Sequence, residues 1–150
     1  MSDKITPTLW YHTEDGKMKQ VTDYYSKIFG SDFEAETPIS LGETPSGYAE
    51  MGYVKFFGDP LLIMTTEKVH QKMNDTFSIM IHCDDQPEID KFWDYFTSEG
   101  EESMCGWCID KFGLRWQIIP KNFNELMSYP NAGEIMMKQR KIIISEYLFQ

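Results

Sequence analysis

The feature that most constrains this chain is an order of elements that comes round twice. Read by hydrophobic period, the first half runs strand, helix, turn, strand and hairpin, and the stretch from Phe77 to Pro120 runs the same way. Two segments echo each other at matching places. Tyr25 to Gly30 (YSKIFG) and Tyr95 to Gly100 (YFTSEG) each put aromatics at a helix end closed by glycine. Lys55 to Met64 (KFFGDPLLIM) and Lys111 to Ile119 (KFGLRWQII) each put a turn ahead of an apolar strand. Similarity repeated in one order favours an internal duplication of a βαβββ unit.

The elements follow from local pattern. Ile5 to Tyr11 alternates as a strand, with Thr6, Thr8 and Trp10 on one face, and Pro7 makes it an edge or a late-joining strand. Apolar residues at 18, 21, 24, 25, 28 and 29 predict a helix over Met18 to Phe29, stopped by Gly30. Phe33 to Glu36 is a short strand, Pro38 to Gly47 reads as loop, and Tyr48 to Phe57 with Leu61 to Thr65 form a hairpin around Gly58-Asp59-Pro60. Glu67 to Asp75 is a polar connection. Phe77 to Cys83 opens the second unit, and Asp84 or Asp85 caps a helix from Pro87 to Ser98 whose Phe92, Trp93, Tyr95 and Phe96 form the face packed on a sheet.

The last hairpin carries the most information. Asp110-Lys111-Phe112-Gly113 is a turn between Gly106 to Asp110 and Leu114 to Pro120. With a side-chain period of two, Trp116 and Ile118 share one face while Arg115, Gln117 and Ile119 share the other. The first face is apolar, and the second can carry polar work. After Pro120, Asn122 caps a short helix through Met127, and 134–148 is helical or partly so. That tail is too apolar for a free end. It packs either on its own domain or on a neighbouring subunit.

Composition removes several classes of function. A net charge of −10 and a pI near 4.7 argue against nucleic acid and anionic membranes, both of which require a basic face. No apolar run approaches the roughly 18 residues of a membrane span, and Met-Ser-Asp-Lys lacks a signal peptide's regions, so a cytoplasmic protein is expected. Three cysteines, an odd number, fit thiols in a reducing compartment better than a disulfide framework. Cys105-Gly106-Trp107-Cys108 is a CxxC. A redox CxxC begins a helix, whereas this one lies on a predicted strand or its turn, and a structural zinc would need two more ligands with only Cys83 unassigned. The pair therefore reads as structural thiols.

The duplicated order, Tyr24-Tyr25 followed by Phe29-Gly30, His82-Cys83-Asp84-Asp85 at a helix start, and Cys105-Gly106-Trp107 with Asp110 to Ile118 (DKFGLRWQI) resemble the vicinal oxygen chelate superfamily. Within it the chain resembles the PhnB-like, 3-demethylubiquinone-9 3-methyltransferase-like branch, over about residues 4 to 120. The resemblance implies an α+β fold of two βαβββ modules, about 4–66 and 77–120, forming an eight-stranded cupped sheet. On this reading the chain is a single domain over 1–150 with a C-terminal helical tail at 121–150, usually within a homodimer. Methyl transfer is not expected, because neither a GxGxxG nor alternating βα units of a doubly wound sheet occur.

Catalytic members of the superfamily hold a divalent ion through His or Glu on four strands. By resemblance those positions fall near Thr6 and Met64 and on Ser78 and Gln117. Hydroxyl, thioether and amide groups are poor ligands for such an ion, so no cofactor is expected, a divalent metal being the alternative. The expected function is binding of a small molecule by Thr6, Trp10, Tyr53, Met64, Ser78, Trp107, Arg115 and Gln117 in an apolar cup. Two enzyme readings stand beside it. One uses His82 as acid or base with Arg115 or Gln117 steadying an oxyanion, and the other is a lyase or oxygenase of the glyoxalase/dioxygenase type with a weak or substrate-completed metal site. A fourth reading is an interaction module acting through the tail.

Overall fold

Parallel pairing of its first strand with its last defines each half of the chain. The computed structural model describes residues 4–149, in two compact units, Met1–Lys72 and Met73–Gln150. The expectation about a signal peptide drawn from Met1 to Asp3 lies outside the described residues. The first unit contains β1 (Thr8–His12), α1 (Lys19–Phe29), β2 (Phe33–Ala35), β3 (Ile39–Thr44), β4 (Gly47–Phe56) and β5 (Asp59–Thr66). Its sheet has the order β1-β5-β4-β2, with β3 also paired to β4. β1 runs parallel to β5, and every other pair is antiparallel.

The residues explain the elements. β1 lies at the sheet edge, and the carbonyl of Pro7 accepts the Leu62 N–H at 2.9 Å just before the strand begins. The buried side of α1, Val21, Tyr24, Tyr25, Ile28 and Phe29, lies at helical spacing over the sheet. Tyr25 meets Phe29, Phe33 and Phe56 at ring-centroid distances of 6.3, 6.1 and 5.2 Å, and its hydroxyl is 2.8 Å from that of Tyr11. These tilted and edge-on contacts are the arrangement that aromatic quadrupoles favour.

Two sequence expectations are corrected here. The stretch read as loop contains β3, which pairs with β4 through a register shift between Ser40 and Gly42, so the described residues form nine strands in two sheets rather than eight. Alternation was masked because Ser40, Gly42 and Thr44 are turn-forming types lying on an edge. The hairpin turn is Phe57-Gly58, not Gly58-Asp59-Pro60. Both turn residues have positive φ, 51° and 84°, which a tight two-residue turn requires.

The second unit repeats the order with β6 (Ser78–Cys83), α2 (Gln86–Ser98), β7 (Glu101–Glu102), β8 (Trp107–Ile109) and β9 (Arg115–Pro120), in the sheet order β6-β9-β8-β7. Asp85 caps α2, accepting the Glu88 N–H at 3.0 Å, with Pro87 in the first turn. Ile89, Phe92, Trp93 and Phe96 are buried beneath the helix, and Phe96 stacks on Trp116 at 4.7 Å and 9°. Trp116 and Ile118 are fully buried, while Arg115 and Gln117 are half-buried on the opposite face, as the alternation predicts.

A short run of helices closes the unit: α3 (Phe123–Leu126), α4 (Ala132–Lys138) and α5 (Ser145–Leu148). Leu126, Ala132, Ile142 and Tyr147 form a small core of their own. The tail is joined to its own unit by main-chain bonds. Cys105 N–H donates to the Gln139 carbonyl and Gly106 N–H to that of Arg140, each at 2.8 Å. Gln86 adds a two-sided clamp, donating to the Ile142 carbonyl at 2.9 Å and accepting the Ile144 N–H at 2.9 Å. The described part of the tail thus packs on its own unit, the first of the two expectations.

Candidate ligand-binding faces

Helix α1 covers one face of the first sheet, and strand register settles what the other face presents. Trp10 pairs with Met64, Met64 with Met51, and Met51 with Ile39, so these four side chains form a row across β1, β5, β4 and β3. The adjacent row is Thr8, Leu62 and Tyr53. Trp10 is 38% exposed, Tyr53 44% and Ile39 56%. Thr6 is half-buried and precedes β1 rather than lying in it. Of the residues predicted from sequence, Trp10 and Met64 are brought together and Tyr53 lies one row away. Met51 and Ile39 extend the row, although sequence reasoning did not select them.

Trp10 has a fixed orientation. Its indole N–H donates to Thr66 Oγ1 at 2.7 Å, and that hydroxyl donates to the Lys68 carbonyl at 2.8 Å. The imidazole of His70 lies against the indole with centroids 4.6 Å apart and planes 5° from parallel. Tyr53 also lines a recess of about 330 Å³ with Glu34, Glu36, Lys55 and Pro60.

On the second sheet, the face away from α2 presents Met80, Gln117 and Trp107 in one row, with Ser78, Arg115 and Ile109 in the next. Gln117 Nε2 donates to Ser78 Oγ at 2.8 Å. Oriented this way, the Gln117 carbonyl oxygen accepts no hydrogen bond and the Ser78 hydroxyl finds no acceptor among the described residues. The pair therefore offers one acceptor and one donor side by side. Arg115 was expected as a ligand contact. Its Nε donates to Asp75 at 2.8 Å, and its Nη1 donates to the carbonyls of Met73 and Gly113 at 3.0 and 2.8 Å. These bonds tie the segment before β6 to the final turn, and only 17% of the side chain is exposed. His82 is exposed beside Ile119, at the far end of β6 from Ser78.

The residue that organises this hairpin was not among those selected. Asp110 is buried, and its carboxylate accepts the backbone N–H groups of Phe112 and Leu114 at 2.8 and 3.0 Å and the Trp116 indole N–H at 2.9 Å. The CxxC is split by the fold. Cys108 is fully buried on the α2 face, where burial, with Asp110 and Glu102 adding, pushes its thiol up to about 12. Cys105 sits half-exposed on the turn at φ 58°, with its sulfur 3.8 Å from that of Met137. A recess of about 580 Å³ beside the start of α2, lined by Asp84, Asp85, Lys121, Leu148 and Phe149 among others, includes none of the predicted residues.

The positions that the resemblance matches to metal ligands hold a hydroxyl and a thioether in the first unit, Thr6 and Met64, and a hydroxyl and an amide in the second, Ser78 and Gln117. Among the described residues no group of three or more His, Cys, Asp or Glu side chains is placed to hold an ion. These residues do not fit a tightly held divalent metal, which calls for imidazole or carboxylate. Among the described residues no helix is long and apolar enough to cross a membrane.

One βαβββ unit and one with β3 added, each pairing its first strand parallel to its last, give the fold of a vicinal oxygen chelate protein. A PhnB protein from Bacillus cereus superposes with a TM-score of 0.62 at 19% identity, over 79% of this chain and 99% of its own. Protein PA1353 from Pseudomonas aeruginosa gives 0.62 at 17%, over 80% and 98%. The fosfomycin resistance protein FosX from Listeria monocytogenes, solved with Mn(II) and sulfate, gives 0.53 at 15%, over 85% and 99%. The model of the 3-demethylubiquinone-9 3-methyltransferase family matches residues 3–119, and the chain belongs to that PhnB-like family. No curated protein matches the chain.

Proposed function

We propose that this protein binds a small molecule, without a tightly bound metal, through the helix-free faces of its sheets. The observation that carries this reading is the Gln117–Ser78 pair, a fixed acceptor and donor set among Met80 and Trp107 on a half-exposed sheet face. An apolar surface with a few oriented polar groups is what small-molecule sites require. On the first sheet, Trp10, Met64 and Tyr53 supply apolar contacts, with Thr6 at the strand's approach. The Arg115 guanidinium acts through the turn it braces. The methyltransferase of the family description is not carried over, because neither sheet is the doubly wound parallel kind that usually holds a methyl donor.

The test has two parts. A fragment screen followed by side-chain amide NMR should find ligands that shift the Gln117 NH₂ signals. Gln117→Ala should weaken those ligands at least tenfold while changing folding stability by no more than about 1 kcal/mol, since a half-exposed amide contributes little to the core. Unfolding of the variant, or unchanged affinity, would remove the pair from the site. Elemental mass spectrometry after incubation with zinc, nickel, manganese and ferrous iron checks the metal reading. A stoichiometric retained ion would restore lyase or oxygenase chemistry.

A further inference from the structure

The first sheet carries a second observation that narrows the ligand, resting on the small-molecule reading above. A tryptophan on a sheet can turn about two side-chain torsions, but Trp10 is held by its N–H bond to Thr66 Oγ1, itself anchored to the Lys68 carbonyl. The ring is thus a fixed plate rather than a mobile side chain. What lies on it is a flat, nitrogen-containing ring, the His70 imidazole, 5° from parallel at 4.6 Å. His70 belongs to the polar connection after β5, not to a strand or helix, and it lies exposed. An indole face is electron-rich, so stacking there favours a flat ring that is poor in electrons. The row running away from Trp10, through Met64, Met51 and Ile39, has no charged member and is polarisable at both sulfurs.

We infer that Trp10 is a stacking platform for a planar, electron-poor heteroaromatic ring, and that His70 occupies the platform in the ligand's place. The ring plane is set by the Trp10–Thr66 bond, and the Met64–Met51 row supports whatever extends beyond it. A ligand reaches the indole by displacing His70, so the imidazole competes with it.

The experiment uses a matched pair of neutral probes, nicotinamide and cyclohexanecarboxamide, which share a carboxamide and differ in having a flat or a puckered ring. The Trp10 indole N–H signal, assigned with Trp10→Phe, is followed by two-dimensional NMR in the full chain. Nicotinamide should shift it in a saturable way, and cyclohexanecarboxamide should leave it in place. His70→Ala, in an exposed connection where the fold is not at stake, should tighten nicotinamide at least threefold. Trp10→Leu, checked for retained fold by circular dichroism and followed through the backbone amide signals of Met64 and Thr66, should abolish the preference for the flat ring. Equal response to both carboxamides, no response to either, or unchanged or weaker nicotinamide binding in His70→Ala would overturn the inference. The Gln117 amide signals distinguish the two levels. If they still respond to ligands from the fragment screen, only the ring class has failed, and if they do not, the small-molecule reading fails with it.

Discussion

The two helix ends that look alike in sequence are built on different physics. Gly30 closes α1 at φ 58° and ψ −128°, a conformation hostile to any residue with a Cβ, and a Cβ there would meet nothing within 4 Å. Gly100, just beyond α2, has no positive φ. A Cβ on it would lie 1.9 Å from the Ile109 carbonyl oxygen and 2.6 Å from that of Phe96. The first glycine is required by its backbone angles and the second by its neighbours. The turns divide less sharply: Phe57-Gly58 and Cys105-Gly106 both rely on positive φ at two successive residues, whereas the turn at 110–113 adds the Asp110 carboxylate to a single positive φ at Gly113. The two helix ends are therefore closed differently, by conformation at Gly30 and by close packing at Gly100, and the 110–113 turn adds a buried acid that the 57–58 turn does without.

Four measurements would break or sharpen that contrast. Gly100→Ala should be the most damaging, costing more than about 4 kcal/mol in denaturant unfolding, because two main-chain carbonyls would have to move. Asp110→Ala should follow at about 3 kcal/mol, since it strips acceptors from two backbone donors and a buried indole. A loss below 1 kcal/mol would show that the turn holds without its acid. Third comes alkaline sensitivity of the second unit. Burial holds the Cys83 and Cys108 thiols and the Tyr147 hydroxyl up at about 12, so their neutral forms are favoured by the folded state. Their contribution is complete below the ordinary thiol pKa of 9.0 and is lost as pH rises from there toward 12, the two thiols together losing about 3 kcal/mol by pH 10. Thermal melts at pH 8, 10 and 11 should show it, and at pH 8 a thiol reagent should modify Cys105 alone. Gly30→Ala should be the mildest, about 1 kcal/mol, arising from backbone strain with no clash. A larger loss there than at Gly100 would reverse the comparison.

Much of this architecture is legible in the residues, for identifiable reasons. Alternation across 114–120 separates Trp116 and Ile118 from Arg115 and Gln117 because a strand has no other way to arrange them. The α2 cap and its buried aromatics follow from Asp85, Pro87 and helical spacing. The edge position of β1 is one of the two that Pro7, just before the strand, left open. The rest depended on partners that a linear pattern does not contain. β3 is a strand because β4 lies beside it. Pairing of Met51 with Met64 depends on the hairpin turning at 57–58, and placing the turn one residue later moves every cross-strand partner. The polarity of Arg115 and Asp110 suggested solvent or ligand for one and an ordinary turn for the other. Only the hydrogen bonds show that both are fasteners of one loop. The site was legible as a face, and its inner geometry, the Gln117–Ser78 pair and the His70 ring on Trp10, was not.

The docked tail has a consequence for how this chain can change. The family match ends at residue 119, while the carbonyls that receive the Cys105 and Gly106 N–H groups belong to residues 139 and 140. The accepting side of this joint is main chain and tolerates sequence drift, whereas the donating side holds Gly106 at φ 83°, where a Cβ would lie 3.1 Å from the Ile118 carbonyl oxygen. Gln86 lacks the freedom of the accepting side. It grips the tail at residues 56 and 58 positions further along the chain, and no residue lacking an amide at that length can both donate and accept there. The segment beyond the family match thus depends on a residue within it, and a substitution at 86 would register first as a fault at the C-terminus.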